Sequence, residues 1–367
     1  MMRITELAKP HIRNLEPYQG GKPIEELERE LGIQNAIKLA SNECPHPPSE
    51  RVLQALREAL AGVHRYPDGG SFYLRRALAE HLETGVESLF LGAGSDEILE
   101  ILVKCFLGPG DEAVFAWPSF AMYPIVTQGV GATAVKVPLD PQLVVDVKAL
   151  VGAVTERTRL LFLSNPNNPT GTSIGAADLA GLLREVPEHV IVVNDEAYLD
   201  YVRREDFPDS LACLEDRSTF VTLRTFSKVY GLAGLRLGYA VGDPELVGLL
   251  ERARHPFNVN LLAQVAGCAA LEDPEHVSRI RRMTHAGLDQ LECAFDELGL
   301  AYTKSDANFI LVKVGSCAAE IHAGLQRAGV ITRRMDAFGL QDRLRITVGL
   351  PEENKRLIEA LRQELGR

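Results

Sequence analysis

The feature that most constrains the fold is the apolar run Val190–Val193, which ends in the polar sequence Asn194-Asp195-Glu196. A continuous β-branched run is typical of a strand buried on both faces of a parallel sheet. We therefore predict that Asp195 lies at the carboxyl edge of such a sheet, where ligands bind in open α/β folds. A buried carboxylate without a partner is costly, so a cationic partner for Asp195 is expected.

Other apolar segments end in the same way. The predicted strands around this one are Ser88–Leu91, Ala113–Ala116, Ala132–Val137, Arg159–Leu163, Phe220–Leu223 and Leu235–Val241. Helical patterns separate several of them, which favours an α/β fold with a mostly parallel central sheet flanked by helices.

Three of these strand ends offer groups that bind ligands. Residues 92–96 read GAGSD and lead into a helix, so backbone N–H groups there can approach a phosphate, although a simple tight turn fits as well. Residues 117–123 contain aromatic side chains that either stack on a flat ring or pack in the core. Residues 164–172 read SNPNNPTGT, in which Asn168 is either a turn residue or a hydrogen-bond donor to a ligand.

The segment 225–239 reads TFSKVYGLAGLRLGY and contains a candidate catalytic lysine. Lys228 can form a Schiff base with an aldehyde cofactor, while Ser227 and Arg236 hold an anion on that cofactor. Asp195 suits a protonated pyridine nitrogen, and Asn168 and Tyr198 suit the ring oxygen. Each group alone could be structural, but together they predict a site for pyridoxal 5'-phosphate (PLP).

The length and net charge of the chain indicate the number of domains and the classes of binding partner. A chain of 367 residues favours two domains, and the change to long helical patterns places a boundary near residue 255. We expect an N-terminal arm, or part of the small domain, at residues 1–30, a large PLP-binding domain at 31–255 and a smaller α+β domain at 256–367. The net charge of -11 disfavours nucleic acid and anionic membranes as partners.

The cysteines and the N-terminal sequence bear on location. The six cysteines are scattered without a Cys-x-x-Cys pair, which fits reduced thiols better than a disulfide framework or a metal site. The first residues lack the apolar core of a signal sequence. We therefore expect a cytoplasmic protein without a metal.

Motifs along nearly the whole chain carry a family resemblance. They are LEPYQGGKPIEELERELG, LASNECP, RYPDGGSFYLRRALA, GAGSDEILE, SNPNNPTGT, NDEAYLDY, TFSKVYGLAGLRLGY, RHPFNVN, DANFILVK and LRITVGLPEEN. The chain resembles the fold-type I PLP-dependent aminotransferases of the aspartate aminotransferase superfamily, and within it the histidinol-phosphate aminotransferase family. SNPNNPTGT with a downstream lysine is shared widely, whereas RYPDGG and LRITVG are narrower.

The resemblance implies a role for each matching position. Lys228 would be the Schiff-base lysine, Asp195 the partner of the pyridinium, and Asn168 and Tyr198 the donors to the ring oxygen. Phe120 would stack on the ring. The residues implied to hold the cofactor phosphate are Gly94, Ser95, Asp96, Ser227 and Arg236, joined by Tyr66 from the partner subunit of a homodimer. The residues implied to receive substrate anions are Arg333, Arg345 and, from the N-terminal arm, Tyr18.

The implied reaction is amino transfer between L-histidinol phosphate and 2-oxoglutarate in histidine biosynthesis. An aromatic amino-acid aminotransferase or a phosphoamino-acid decarboxylase of the same fold remains an alternative, and a non-catalytic PLP-binding regulator is disfavoured because no DNA-binding module is visible. A dinucleotide-binding oxidoreductase is also disfavoured, because Glu97 stands where the glycine-rich fingerprint of such enzymes needs another glycine. The positions that depart from the family pattern are Cys44, His46, Arg334 and Leu350. Cys44 and His46 lie in a loop expected near the substrate entrance and so leave the amino donor open. Together they could also form a nucleophilic thiol, which the PLP chemistry makes unnecessary.

Overall fold

The computed structural model describes residues 3–18 and 20–366. Its strands are β1 (Ile37–Lys38), β2 (Leu89–Gly92), β3 (Glu112–Trp117), β4 (Thr133–Pro138), β5 (Thr158–Ser164), β6 (Ile191–Asp195), β7 (Phe220–Thr225), β8 (Gly238–Gly242), β9 (Phe309–Lys313), β10 (Val330–Ile331), β11 (Arg333–Arg334) and β12 (Arg343–Thr347). Its α-helices are α1 (Ile4–Leu7), α2 (Pro10–Arg13), α3 (Ile24–Leu31), α4 (Glu50–Ala59), α5 (Phe72–His81), α6 (Ser95–Phe106), α7 (Met122–Gly129), α8 (Val147–Gly152), α9 (Ala176–Glu185), α10 (Pro244–Ala253), α11 (Leu261–Leu271), α12 (Pro274–Glu297), α13 (Ala318–Arg327) and α14 (Pro351–Glu364).

The central sheet has the strand order β2-β8-β7-β6-β5-β3-β4. Strand β8 runs antiparallel to both of its neighbours, and the pairs among β3 to β7 are parallel. The ends of β5 and β6 are level, since Ser164 lies opposite Asp195. Because β8 is reversed, its first residues lie at the edge where the parallel strands end, which brings Arg236 to that edge.

Helices cover both faces of the sheet, as the apolar strands require. Val193 of β6 packs in one cluster with α6, α7 and α10, while the adjacent Val192 packs in another cluster with α8 and α9. Side chains alternate between the two faces of a strand, so a strand covered on both sides must be apolar throughout. The prediction of a buried, mostly parallel sheet flanked by helices is confirmed.

A second, smaller sheet lies in the C-terminal third of the chain. It is antiparallel and has the strand order β11-β12-β9. Helices α12, α13 and α14 pack against it in a separate apolar cluster that includes Phe295, Ile310 and Leu361. In this sheet Arg333 of β11 lies directly opposite Arg345 of β12.

Two contacts bear on the expected domain bounds, which stay predictions. Strand β1 pairs with β10, so residues from before position 40 join elements from after position 330. Helix α11 packs on α4 and α5 through Ala263 and Ala266, although it follows the boundary predicted near residue 255. None of the helices in the described ranges is both long and apolar enough to cross a membrane.

Candidate active site

A cavity of about 230 Å³ lies at the carboxyl edge of the central sheet. It brings together predicted residues from the ends of six strands, namely Ser95, Asp96, Phe120, Asn168, Asp195, Tyr198, Ser227, Lys228 and Arg236. The parallel order of the sheet explains this convergence, because residues that are distant in sequence follow neighbouring strands.

Lys228 follows β7 and its side chain is half-buried in this cavity. The Nζ atom lies 5.5 Å from the centre of the Tyr198 ring. Burial and, as a smaller cause, the positive charge of Arg345 lower the pKa of Lys228 to about 8. The amine therefore loses its proton more readily than an exposed lysine, which makes it a better nucleophile.

Asp195 ends β6 and is only 4 % exposed. Its carboxylate accepts hydrogen bonds from the Tyr123 hydroxyl at 2.9 Å and from the Ala197 backbone N–H at 3.2 Å. Burial raises its pKa to about 6. The expected cationic partner is not supplied by the chain, since no lysine or arginine in the described ranges forms an ion pair with this carboxylate. The carboxylate thus fits a cationic group on a ligand.

The start of α6 forms an anion cradle with Arg236. Gly94 has a φ of 80°, and a Cβ atom there would collide with the Arg236 guanidinium. Arg236 Nη2 lies 3.0 Å from Asp96 Oδ2, and its Nη1 lies 3.4 Å from Ser227 Oγ. Backbone N–H groups at a helix start, a guanidinium and a hydroxyl together suit a phosphate.

Glu97, which breaks the dinucleotide fingerprint, has a structural role at the same turn. Its Oε2 accepts hydrogen bonds from the Ala93 backbone N–H at 2.6 Å and from Asn258 Nδ2 at 2.8 Å. This carboxylate therefore holds the loop that shapes the cradle.

The remaining cavity residues supply an aromatic surface and hydrogen-bond donors. Phe120 lines the cavity and packs edge-on against Tyr123, with ring centres 5.7 Å apart. Asn168 Oδ1 accepts a hydrogen bond from Arg345 Nη1 at 2.5 Å, which leaves its NH₂ group to donate to a ligand. Burial raises the pKa of Tyr198 to about 12, so this phenol is protonated at neutral pH.

Arg345 carries a buried positive charge beside the cavity. It is 8 % exposed, donates to the Ala40 carbonyl at 2.7 Å, and its Nε has no partner among the described residues. Burial lowers its pKa to about 10, and the neighbouring charge of Arg333 acts in the same direction, whereas Tyr18 and Tyr198 oppose it. Two guanidinium groups opposite each other in one sheet favour an anionic ligand.

Two predicted residues do not line the cavity in this chain. Tyr66 is 82 % exposed and stacks on Phe257, with ring centres 4.7 Å apart. Tyr18, on the N-terminal arm, is 55 % exposed, and its hydroxyl is close enough to affect the Arg345 charge.

The positions that depart from the family pattern lie outside the cavity. Burial raises the pKa of the Cys44 thiol, which disfavours a nucleophilic thiolate. His46 lines a neighbouring cleft, Arg334 pairs with Asp336 on the surface, and Leu350 caps α14.

Sequence reasoning missed several residues at the site. Ser41 and Glu43 line the cavity, Asn42 donates to the Tyr198 hydroxyl, and Tyr123 donates to Asp195. Their only signal was position, since the first three follow the short strand β1 and Tyr123 follows β3.

Comparison with known proteins agrees with this geometry. A family model for aminotransferase class I and II matches residues 34–361. Histidinol-phosphate aminotransferase 2 of Pseudomonas fluorescens strain Pf0-1 is 47% identical over 363 residues, which cover 98% of each protein. The histidinol-phosphate aminotransferase of Moorella thermoacetica is 49% identical over 356 residues, covering 97% of this chain and 92% of that protein.

Solved structures share the fold along almost the whole chain. The histidinol-phosphate aminotransferase of Sinorhizobium meliloti in complex with pyridoxal-5'-phosphate has a TM-score of 0.90 and 28% identity, and the match covers 98% of this chain and 97% of that one. Aspartate aminotransferase of Thermus thermophilus, at 24% identity and a TM-score of 0.83, has the same fold. The predicted fold-type I architecture is confirmed, and the chain belongs to the aminotransferase class I and II family.

Proposed function

We propose that this chain transfers the amino group of L-histidinol phosphate to 2-oxoglutarate, with PLP as cofactor, to give imidazole-acetol phosphate and L-glutamate. The observation that carries the proposal is the placement of Lys228 and Asp195 in one cavity, where a poised amine faces a buried carboxylate that lacks a cation. The relatives that match along nearly the whole chain are histidinol-phosphate aminotransferases.

The residues that line the cavity fit PLP. The Gly94–Arg236 cradle suits its phosphate, and the uncompensated Asp195 charge suits a protonated pyridine nitrogen. Bound PLP supplies an aldehyde that an amine can attack and a ring that accepts the electron pair left when the substrate carbon loses its proton.

The chain's own residues then have separate tasks. Lys228 Nζ would hold the cofactor and would carry the proton that the substrate carbon loses. Asp195, itself held by a hydrogen bond from Tyr123, would keep the ring nitrogen protonated. Asn168 and Tyr198 would donate hydrogen bonds to the ring oxygen, and Phe120 would supply an aromatic surface for the ring.

Substrate selection follows from the arginines. One site must bind a phosphate ester in the first half-reaction and a dicarboxylate in the second, and a guanidinium fork pairs with either oxyanion. Arg345 and Arg333 lie opposite each other in the small sheet, and Tyr18 lies near Arg345. We assign these residues to the substrate anions, with Tyr18 closing over them.

The proposal includes assembly and location. Tyr66 is exposed at some distance from the cavity lining, as expected for a residue that reaches the cofactor phosphate of a second copy in a homodimer. All six cysteines are free thiols, which supports a reducing compartment, and we place the enzyme in the cytoplasm.

The test mixes the yellow PLP-loaded protein, without an amino acceptor, with histidinol phosphate or with phenylalanine. We expect the visible cofactor band to be lost at low concentrations of histidinol phosphate, and Lys228→Ala to lack both the band and turnover. A comparable response to phenylalanine would make the enzyme an aromatic aminotransferase. An active Lys228→Ala variant would contradict the proposed role of the lysine.

A further inference from the structure

Asn42 occupies a rigid position between the small sheet and the cavity. It is 2 % exposed and has a φ of 55°, a left-handed conformation that asparagine tolerates better than most residues. Its backbone N–H donates to Thr347 Oγ1 at 2.9 Å, and its carbonyl accepts from Asn308 Nδ2 at 3.0 Å. The backbone of Asn42 is therefore held by Asn308 and by Thr347, which lies two residues beyond Arg345.

The hydrogen bonds also determine which way this amide points. Thr347 Oγ1 accepts the Asn42 N–H, so its own proton is available for Asn42 Oδ1, which lies 3.3 Å away. With Oδ1 used as an acceptor, Nδ2 faces the Tyr198 hydroxyl at 2.9 Å. An amide nitrogen only donates, and Tyr198 must therefore accept this bond.

Because the Tyr198 hydroxyl oxygen accepts this bond, the hydroxyl proton of Tyr198 points away from Asn42. Burial keeps the phenol protonated, and no acceptor for its proton occurs within residues 3–18 and 20–366. Tyr198 lines the cavity, whose other charged lining residues are Glu43, Asp96, Asp195, Lys228 and Arg236, and the charge of Arg345 also acts on it. The proton is thus free to point into the space where a cofactor oxygen would lie.

We propose that Asn42 is a positioning residue that aims the Tyr198 hydroxyl proton at the ring oxygen of the cofactor. This inference rests on the proposed function, because it requires bound PLP. Asn42 also donates a hydrogen bond to Thr347, which lies two residues beyond Arg345 on β12. Asn42 therefore connects the strand that carries Arg345 to the group proposed to bind the cofactor ring.

Two substitutions test the direction of the bond. Asn42→Asp replaces the donor by a carboxylate that only accepts, so Tyr198 must donate to residue 42 and the ring oxygen loses its donor. Asn42→Gly keeps the positive φ and removes the bond. Asn35→Gly is the matched control, because Asn35 is exposed, has a φ of 59°, and lies outside the cavity lining.

Two readouts are independent of turnover. The first is the pH midpoint at which the visible band of bound PLP changes. The second is the Kd for PLP, measured on the apoprotein by quenching of the single tryptophan, Trp117. A lost donor disfavours the anionic ring oxygen, so Asn42→Asp should raise the pH midpoint by about one unit and weaken PLP binding about tenfold.

We expect Asn42→Gly to give a smaller shift in the same direction and Asn35→Gly to match the wild type. In a Tyr198→Phe background, Asn42→Asp should add no further shift, since the group through which it acts is gone. An unchanged midpoint in Asn42→Asp, or an equal shift without the Tyr198 hydroxyl, would overturn the inference. A wild-type protein that forms no visible band with PLP would overturn the proposed function, and this inference with it.

Discussion

At the scale of single residues, the site is built from charges that the apoprotein does not neutralise. The carboxylate of Asp195 has hydrogen-bond donors but no cation, and Arg345 is buried with one nitrogen unpartnered among the described residues. Such groups cost folding free energy unless a ligand compensates them. Their pKa shifts have the corresponding signs, since burial raises the pKa of Asp195 and lowers those of Arg345 and Lys228.

The Asp195 charge leads to a prediction about stability. Asp195→Asn should raise the melting temperature of the apoprotein at pH 7.5 by a few degrees, because about 1 kcal/mol corresponds to about 2–4 °C in domains of 150–250 residues. The same change should weaken PLP binding, since the ring nitrogen loses its anionic partner. Both effects are measured by thermal unfolding with and without PLP.

The raised pKa of Asp195 determines how the stabilising effect of Asp195→Asn changes with pH. The folded-state pKa of Asp195 is about 6, above the ordinary value of 3.8, so the folded protein holds the proton more strongly between these values. The contribution of Asp195 to the stability of the apoprotein therefore falls as the pH rises from about 4 to about 6, and this loss persists above that window. The advantage of Asp195→Asn should shrink toward pH 4.5. An advantage that is equal at both pH values would contradict the account.

At the scale of secondary-structure elements, the alternating side chains of β12 have separate roles. Leu344 and Ile346 point into the small apolar core, whereas Arg343, Arg345 and Thr347 belong to the opposite face. Arg345 donates a hydrogen bond to Asn168, which lines the cavity. Arg343 instead forms an ion pair with Asp342, with Nε and Oδ1 3.8 Å apart.

The strand therefore supplies a matched pair of variants. Arg345→Ala should raise the apparent KM for histidinol phosphate and for 2-oxoglutarate by about 100-fold, because a buried, charge-assisted pairing is lost in both half-reactions. The Kd for PLP should change far less. Arg343→Ala removes the same side chain from the same face and should leave both KM values near those of the wild type. Equal effects of the two variants would remove Arg345 from the substrate site.

Elements also mark where sequence patterns succeed and where they fail. The strands near positions 160, 190 and 220 are where apolar runs predicted them, because burial on both faces leaves a continuous signal. Helix α11 was missed because its sequence LLAQVAGCAAL is apolar around most of its circumference and shows no single stripe. Only its packing on α4 and α5 identifies its place.

At the scale of the whole molecule, the segment around Tyr66 exposes several apolar side chains. Near it in sequence lie Leu60, Val63, Phe72 and Tyr73, all more than half exposed, and Phe257 stacks on it. Exposed aromatic and aliphatic residues are typical of a subunit interface. This supports the proposed homodimer, in which Tyr66 acts in the other subunit's site.

Subunit exchange tests whether Tyr66 acts across that interface. Lys228→Ala and Tyr66→Ala proteins, each of low activity alone, are unfolded together and refolded as a mixture. A hybrid dimer should contain one complete site, formed by Lys228 of one subunit and Tyr66 of the other, so the activity of the mixture should exceed that of either parent. If Tyr66 acted within its own chain, no site in the hybrid would be complete and mixing would restore nothing.

Local sequence patterns are enough to show which groups follow which strands, and therefore that Lys228, Asp195, Asn168 and Tyr198 meet. This is because strand periodicity is local and parallel strands end at one edge of a sheet. The partners of these groups, in contrast, depend on the folded chain. Asn42 reaches Tyr198 across 156 positions and Arg345 reaches Asn168 across 177, and packing between distant segments, which leaves no local pattern, sets such contacts. The charge left on Asp195 for a ligand is likewise a property of the folded surroundings.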